Sequence, residues 1–493
     1  MSEDIARLYQ EIDTLIADVQ REGQAQADAW NGMIDRSAFA PSALNLAQYL
    51  ALRRRDLRAL QRPLTALGLS SIGRLESRVS PTLLAVRNAL AALLGRPPDG
   101  APPACEFFAG ESRLAANRLK VLGQSDSAAL LVTCPSDAAD DPSFMLALAQ
   151  RKVAAIRINC AHDSADRWGR MIDHLRAAEQ VTGHRMKVFM DLAGPKIRTG
   201  EVRPPRERRH IRKGELLAIA RPGGLDAVLL AEPHFSVECT LAEALDAAKV
   251  GDRVFVDDGK LCARVERAEP WGVAARVTTV ADKGLKLKPE KGLNFPDGDL
   301  RLDALTEQDR TDLAFVASHA DGVEFSFVQS AADVAMLQQA LAELRPDDWR
   351  TISLVLKIET SRAVSNLPEM IVQAAGRQPA AIMIARGDLS VEIGFARTAE
   401  MQEEILWLGE ASDTPVIWAT QVLEHLVAKG VPSRGEMTDA AMAARAECVM
   451  LNKGPYLLEA IDQLQALLKR MDDNQHKKTP RLRQLKSWGA APS

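Results

Sequence analysis

The chain has 493 residues, a formal net charge of −4, 46% apolar and 26% charged residues; that length predicts two or three domains, and the near-neutral balance excludes wholesale nucleic-acid or membrane-surface binding. Its six cysteines, scattered singly at 105, 134, 160, 239, 262 and 448, have neither metal-knuckle nor disulfide-framework spacing, so reduced thiols in a cytoplasmic protein are expected. The acidic start Met1-Ser2-Glu3-Asp4 is unlike a signal peptide, and no apolar stretch reaches transmembrane length, since the nearest, 81–95, is broken by Arg87 and Asn88.

Ile5, Leu8, Ile12, Leu15, Ile16 and Val19 step by three and four, which predicts an amphipathic helix over about 4–20. Helices are also predicted at 44–67, where Pro63 should kink or end the element, and at 81–94. The run Arg53-Arg54-Arg55 reads as a solvated face, and residues 95–103, rich in Pro and Gly, read as a linker. Residues 1–115 are therefore expected to form a separate α-helical domain. From about 127 the texture changes. Short apolar runs at 128–133, 153–159, 187–192, 322–327, 353–358, 380–385, 415–420 and 449–451 alternate with helical stretches. Continuous apolar strands separated by helices imply a buried parallel sheet, and eight of them fit an α/β fold of the (β/α)8 TIM-barrel type over 116–198 and 287–475. Between the third and fourth runs, 199–286 is rich in Gly, Pro and alternating Val, with a hairpin signal at Asp257-Asp258-Gly259. It is expected to form a small β domain inserted into a barrel loop. A last helix is predicted at 457–471, followed by a basic tail, 476–493, whose Lys477, Lys478, Arg481, Arg483 and Lys486 are expected at the surface.

No GxxxxGK[ST], GxGxxG, HExxH or GxSxG motif is present, so P-loop and Rossmann nucleotide binding are unsupported. The chemistry gathers instead at the predicted strand ends. Arg157 and Asn159 close the second run, Asp191 the third, Ser326-Phe327 the fourth, Lys357 and Glu359 the fifth, Arg386-Gly387-Asp388 follow the sixth, Thr420-Gln421 the seventh and Asn452-Lys453-Gly454 the eighth. Lys196 and Arg198 follow the third in Gly194-Pro195-Lys196-Ile197-Arg198-Thr199-Gly200. Residues two apart on a strand share a face. In a barrel all of these reach one rim, where cations around a carboxylate pair suit a phosphorylated, metal-chelated substrate. Taken singly, a Lys or Glu at a strand end is most often a salt bridge, and Glu359 and Asp388 could pair with Lys357 and Arg386. His162 reads as a local hydrogen-bonding residue and Cys160 as a packed one.

In order along 127–470, Met190 to Gly200, Lys291-Gly292-Leu293-Asn294-Phe295-Pro296, Leu305-Thr306-Glu307-Gln308-Asp309, Lys357-Ile358-Glu359, Ala385 to Glu392 and Ala419-Thr420-Gln421 resemble the motifs of the pyruvate kinase family. The resemblance implies a catalytic barrel with a β-barrel lid, taking phosphoenolpyruvate and ADP with Mg2+ or Mn2+. It implies Glu359 and Asp388 as metal ligands and Lys357 as the cation that stabilises the moving phosphoryl group and the enolate. Arg157 and Arg198 would bind phosphate, with Lys291 near the nucleotide. Gly387, Asp388, Thr420 and Ser326 would hold phosphoenolpyruvate, with Thr420 also counted among the catalytic residues. Family members that need K+ carry Asn, Ser, Asp and Thr as its ligands and a nearby Glu; here Asn159 and Asp191 remain, while Ala161, Leu192 and Lys196 stand at the other positions. Lys196 is expected to replace the monovalent cation, so K+ should not be required. Asn452-Lys453-Gly454 replaces the usual Ser-Gly-Glu, Gln329 a common arginine and Ala193 a common lysine. No C-terminal effector-binding domain of the family's usual kind is expected, and the front helices are expected to mediate assembly into a homo-oligomer or to cover the barrel. Two other readings stay open: a Mg2+-dependent lyase or aldolase forming a pyruvate enolate, and a non-catalytic regulatory relative.

Overall fold

Eight parallel strands close on themselves. They are β1 (Ala129–Thr133), β2 (Ala155–Asn159), β3 (Lys187–Asp191), β4 (Gly322–Phe325), β5 (Ser353–Ile358), β6 (Ala380–Ala385), β7 (Val416–Ala419) and β8 (Cys448–Leu451), in the spatial order β1-β8-β7-β6-β5-β4-β3-β2. The computed structural model describes residues 2–99, 104–205, 209–232, 234–298, 300 and 302–483, so residues 100–103 of the predicted linker and Lys486 lie outside the described residues. Period-two alternation decides what each strand contributes. Leu131, Phe189, Val355, Met383 and Ile417 fill the barrel interior, whereas Val132, Val188, Leu354, Ile382 and Val449 face the surrounding helices. The inward register continues upward to Arg157 above Ala155, Asp191 above Phe189 and Lys357 above Val355. Gly322 makes room for this filling: a Cβ there would lie 2.4 Å from Phe189 Cε1.

Between β3 and β4 the chain builds a second sheet of seven strands. Their order is Leu293–Asn294, Arg253–Val256, Leu261–Glu269, Gly272–Val280, Leu216–Ala220, His234–Cys239 and Thr199–Arg203. The Asp-Gly signal does close a hairpin, with Val256 opposite Leu261. The sheet reaches beyond 286 to take in Leu293–Asn294. Its two outer strands meet through an antiparallel bridge between Arg198 and Gly292, with the Thr199 N–H donating to the Lys291 carbonyl (2.7 Å) and the Leu293 N–H to the Ile197 carbonyl (2.9 Å). This domain has its own core, in which Leu217, Phe235, Val254 and Val277 are buried.

The front of the chain folds as α1 (Ser2–Ala29), α2 (Ala40–Arg53), α3 (Arg58–Ala66), α4 (Val79–Leu93) and α5 (Ala109–Leu122). The stripe on α1 is buried as its spacing predicts. The expected single helix over 44–67 is two: the chain breaks after Arg53, Asp56 accepts the Arg58 backbone N–H (3.1 Å), and Pro63 sits inside α3 rather than ending it. The front helices share one continuous apolar core with the barrel's outer helices; Ile12, Leu46 and Leu83 belong to the same cluster as Met370 and Ile405. Polar clasps reinforce the contact. Asn45 donates to the carbonyls of Glu76 (2.7 Å) and Ala411 (2.8 Å) and accepts the Val79 N–H (3.0 Å). Arg36 donates to the carbonyls of Ala375 (2.9 Å) and Gln378 (2.7 Å). Arg481 and Arg483 are exposed as expected, while the two lysines of the tail are partly covered. Residues Gln475–His476 and Thr479–Pro480 form a small hairpin, Lys477 pairs with Glu447, and Lys478 pairs with Glu76 with its ammonium 4.9 Å from the Trp407 ring centre. Among the described residues no helix is long and apolar enough to cross a membrane.

Asp413, fully buried at the junction of the front helices and the barrel, accepts from Arg113 Nε (2.6 Å) and Ser42 Oγ (2.7 Å). Burial pushes its carboxyl from the ordinary 3.8 up to about 6, against the pull of Arg113. The folded state therefore holds a proton that the unfolded chain has lost between those values, so this group's contribution to stability falls as pH rises through that window. Arg113→Ala should leave the buried carboxylate without its cation and cost about 3 kcal/mol at pH 7, with the loss shrinking toward pH 4. Urea unfolding of both chains at the two pH values measures this.

Candidate active site

The inward register of β2 to β5 converges on a single carboxylate. Arg157 and Lys357 both reach Asp191: Arg157 through Nη2, and Lys357 through Nζ at 2.9 Å from Oδ1. The same ammonium donates to Ser326 Oγ (2.6 Å) and lies 3.3 Å from Glu359 Oε1, and Ser326 itself donates to Asp191 (3.1 Å). Arg157 Nε donates to Glu324 Oε2 (2.9 Å). These groups are almost wholly out of solvent: Asp191 is 3% exposed, Glu324 0%, Lys357 8% and Glu359 4%. Buried charge survives here because every member has a partner. Burial works to raise the Asp191 carboxyl, yet Arg157 and Lys357 hold it below the ordinary range. Burial likewise opposes the Lys357 ammonium, but Asp191 and Glu359 keep it protonated well above the usual lysine value. Glu324 is pushed by burial up to about 7, with Asp191 adding to the rise.

On the opposite wall, helix Arg386–Ile393 begins where β6 ends. Asp388 receives both contacts of Lys196 Nζ, at 3.0 and 2.9 Å. Glu359 accepts the Phe327 backbone N–H (2.7 Å), and its carboxyl is raised by burial, with Lys357 lowering it and the Asp388 charge raising it. Gly387 is needed here: a Cβ would lie 3.0 Å from Thr420 Cγ2. Thr420 itself has φ 69, an unusual conformation for a β-branched residue, followed by Gln421 at φ 56. Backbone held this way concentrates at functional sites. A cavity of about 190 Å³ lies among these groups, lined by Arg157, Asp191, Lys196, Arg198, Ser326, Lys357, Glu359, Gly387, Asp388 and Thr420.

The structure thus brings together nearly all the residues singled out from the sequence. Three depart. Lys291 is not on the cavity wall; its ammonium lies 3.6 Å from Asp257 of the inserted hairpin. Arg386 turns away to Asp439 (2.9 Å) and the Ala419 carbonyl (2.9 Å), so it braces β7 rather than pairing with Asp388. Lys453 is exposed and off the wall. The sequence reading overlooked Glu324. Its signal was available: a lone carboxylate within the apolar run Val323-Glu324-Phe325, in step with Ser326. Asp191's central position between two cations also went beyond what its strand end indicated.

Among the described residues no group of three or more His, Cys, Asp or Glu is placed to hold a metal. Glu359, Asp388 and Asp191 bring carboxylates to the cavity, and Asp191 is taken up by Arg157 and Lys357. The pair Glu359 and Asp388 fits Mg2+, which keeps several waters and takes one or two carboxylates beside substrate oxygens.

Residues 129–461 match the family described as the pyruvate kinase barrel domain. The chain is 32% identical over 345 residues to a pyruvate kinase of Mycobacterium intracellulare, covering 68% of each. It is 31% identical over 347 residues to one of Mycobacterium tuberculosis, covering 69% of each, and 30% identical over 323 residues to one of Aeropyrum pernix, covering 65% of each. A closed eight-stranded parallel barrel, a charged cavity at its carboxyl rim and this match over most of the barrel lead to one conclusion: the chain belongs to the pyruvate kinase family of phosphotransferases.

Proposed function

We infer that the protein transfers a phosphoryl group from phosphoenolpyruvate to ADP, with Mg2+ and without a requirement for K+. The observation that carries this is the convergence of Lys357, Glu359, Asp388 and Lys196 on one cavity. Lys357, desolvated and held charged by Asp191, is positioned to neutralise the transferring phosphoryl group and the enolate left behind. Arg157 and Arg198 take phosphate oxygens. Among the described residues the Arg198 guanidinium is engaged through Nη1, with the Glu290 carbonyl (3.2 Å), which leaves its other N–H groups for phosphate. The backbone N–H groups of Gly387 and Asp388 at the start of a helix, with the Thr420 hydroxyl, hold the substrate carboxylate. Ser326 orients the Lys357 ammonium. Glu359 and Asp388 would hold Mg2+, which would supply positive charge to the phosphoryl-transfer site. Most of the rate gain comes from this positioning and neutralisation. Lys291 would serve nucleotide phosphate only after leaving Asp257, which is compatible with movement of the inserted sheet as a lid.

Lys196 is the residue behind cation independence. It brings a fixed ammonium to the position where K+-dependent relatives carry a carboxylate, and the side chains at 161 and 192, Ala and Leu, offer no oxygen for K+. Cys134, Cys160, Cys239, Cys262 and Cys448 are unbridged, in keeping with a cytoplasmic enzyme.

Three outcomes are expected. Lys357→Met should lower kcat in a pyruvate-coupled assay by about 10³-fold while circular dichroism stays unchanged. Exchanging tetramethylammonium for K+ should leave the rate unchanged; a large gain on adding K+ would overturn the role given to Lys196. Glu359→Gln should weaken Mn2+ binding followed by electron paramagnetic resonance by about tenfold or more, without loss of the folded state.

A further inference from the structure

Glu324 is 0% exposed and has no place on the wall of the catalytic cavity, yet it bonds a residue that does: Arg157 lines that cavity and donates through Nε to Glu324 Oε2 (2.9 Å). Strand register explains why the two meet. Arg157 stands level with Phe189, and Glu324 stands level with Asp191, the next inward position toward the rim. The arginine must rise to reach the cavity, and Glu324 meets it on the way. Its other two nitrogens are engaged as well, Nη2 with Asp191 and Nη1 with Thr133 Oγ1 (3.3 Å). The three acceptors sit on β4, β3 and β1, so they fix the plane of the guanidinium as well as its position. Each Nη carries a second N–H, and these remain for substrate oxygens.

We propose that Glu324 is a positioning residue for the phosphoryl group of phosphoenolpyruvate: it holds Arg157 by Nε so that the outer N–H groups of the guanidinium face the transferring phosphate. The inference rests on the phosphotransferase reading above and deepens it. An arginine side chain is long and flexible, and freezing it on substrate binding costs affinity; a guanidinium already fixed is spared that cost. Nε is the nitrogen nearest the backbone, so a bond there sets the tilt of the whole group, which a bond at one Nη alone does not. Asp191 cannot take over this part, because it already serves Nη2 and Lys357. The bond also survives a change of protonation. Glu324 Oε1 has no hydrogen-bond partner among the described residues, so a proton carried there leaves Oε2 able to accept from Nε. What position 324 supplies is therefore an acceptor at the height of Nε, and its full burial keeps water from competing for that bond.

Direct binding of phosphoenolpyruvate to the full chain, followed by isothermal titration with Mg2+ and without ADP, tests this. Glu324→Leu, which keeps the volume and removes the acceptor, should weaken binding by about tenfold. Glu324→Gln, whose amide oxygen can still accept from Nε, should stay within about threefold of the wild type. In an Arg157→Lys background, where no Nε is present, Glu324→Leu should change the affinity by less than about twofold. Should Glu324→Leu fail to fold, Glu324→Ala takes its place. Unchanged affinity in Glu324→Leu overturns the proposal. A loss in Glu324→Gln as large as in Glu324→Leu also overturns it, since charge rather than the bond would then be the contribution. A loss that persists undiminished in the Arg157→Lys background does the same. A wild-type chain that does not bind phosphoenolpyruvate sinks the phosphotransferase reading and this inference with it, whereas tight wild-type binding that ignores position 324 sinks this inference alone.

Discussion

The mouth of this barrel is organised by the Asp191 carboxylate. Arg157 on β2 and Lys357 on β5 both point inward at the same height, and two buried cations at that spacing would repel strongly in a low-dielectric interior. Asp191, on the strand next to β2, lies between them and bonds each. Glu324 takes the other edge of Arg157, and Glu359 the other side of Lys357. The result is an alternation of charge around the wall in which each side chain fixes the rotamer of the next. Each cation is shared between two carboxylates and Asp191 is common to both, so the site's geometry and the local stability of the barrel rim rest on the same contacts.

Much of the barrel was legible because its strands are buried on both faces. Such strands leave uninterrupted apolar runs in the sequence, and Ser353–Ile358 or Ala380–Ala385 cannot be confused with exposed loops. Once they are aligned in a barrel, the side chains just past each apolar run must face the rim, and period two tells which ones turn inward. Arg157, Lys357 and Glu359 followed from that alone. Glu324 shares that inward period with Ser326, but its partner Arg157 lies on a distant strand that no local pattern names. The direction of Arg386 was equally hidden. It depends on Asp439, a residue of a later helix that no local pattern connects to it. The break between α2 and α3 was masked by leucines that continue the helical spacing across it, while the decision is made by a side-chain contact at Asp56. The tail looked like solvated charge by composition. Its lysines instead find acidic partners on distant parts of the fold, Glu447 and Glu76, which composition cannot reveal.

The inserted sheet relates to the site through very little chain. Lys196 and Arg198 lie on one connection and Lys291 and Asn294 on the other, and the two connections are zipped to each other at Arg198 and Gly292. The sheet is tied to the barrel through the residues beside that bridge. Those residues also hold the Lys196–Asp388 contact. Position of the sheet and charge at the rim are thus mechanically linked without any long relay through the barrel core.

The shared core between front helices and barrel has a consequence for how the molecule is made. Asn45 and Ser42 meet partners 366 and 371 residues further along, and Arg36 a partner 339 residues away. The stripe on α1 finds its cover early, on α2 and α4, but the face of α2 that meets the barrel leaves the ribosome long before the segments that will cover it. Contacts of such separation slow the final assembly of a chain. For much of its translation that face of α2 stays an uncovered apolar surface, a consequence of placing its partners so late in the chain.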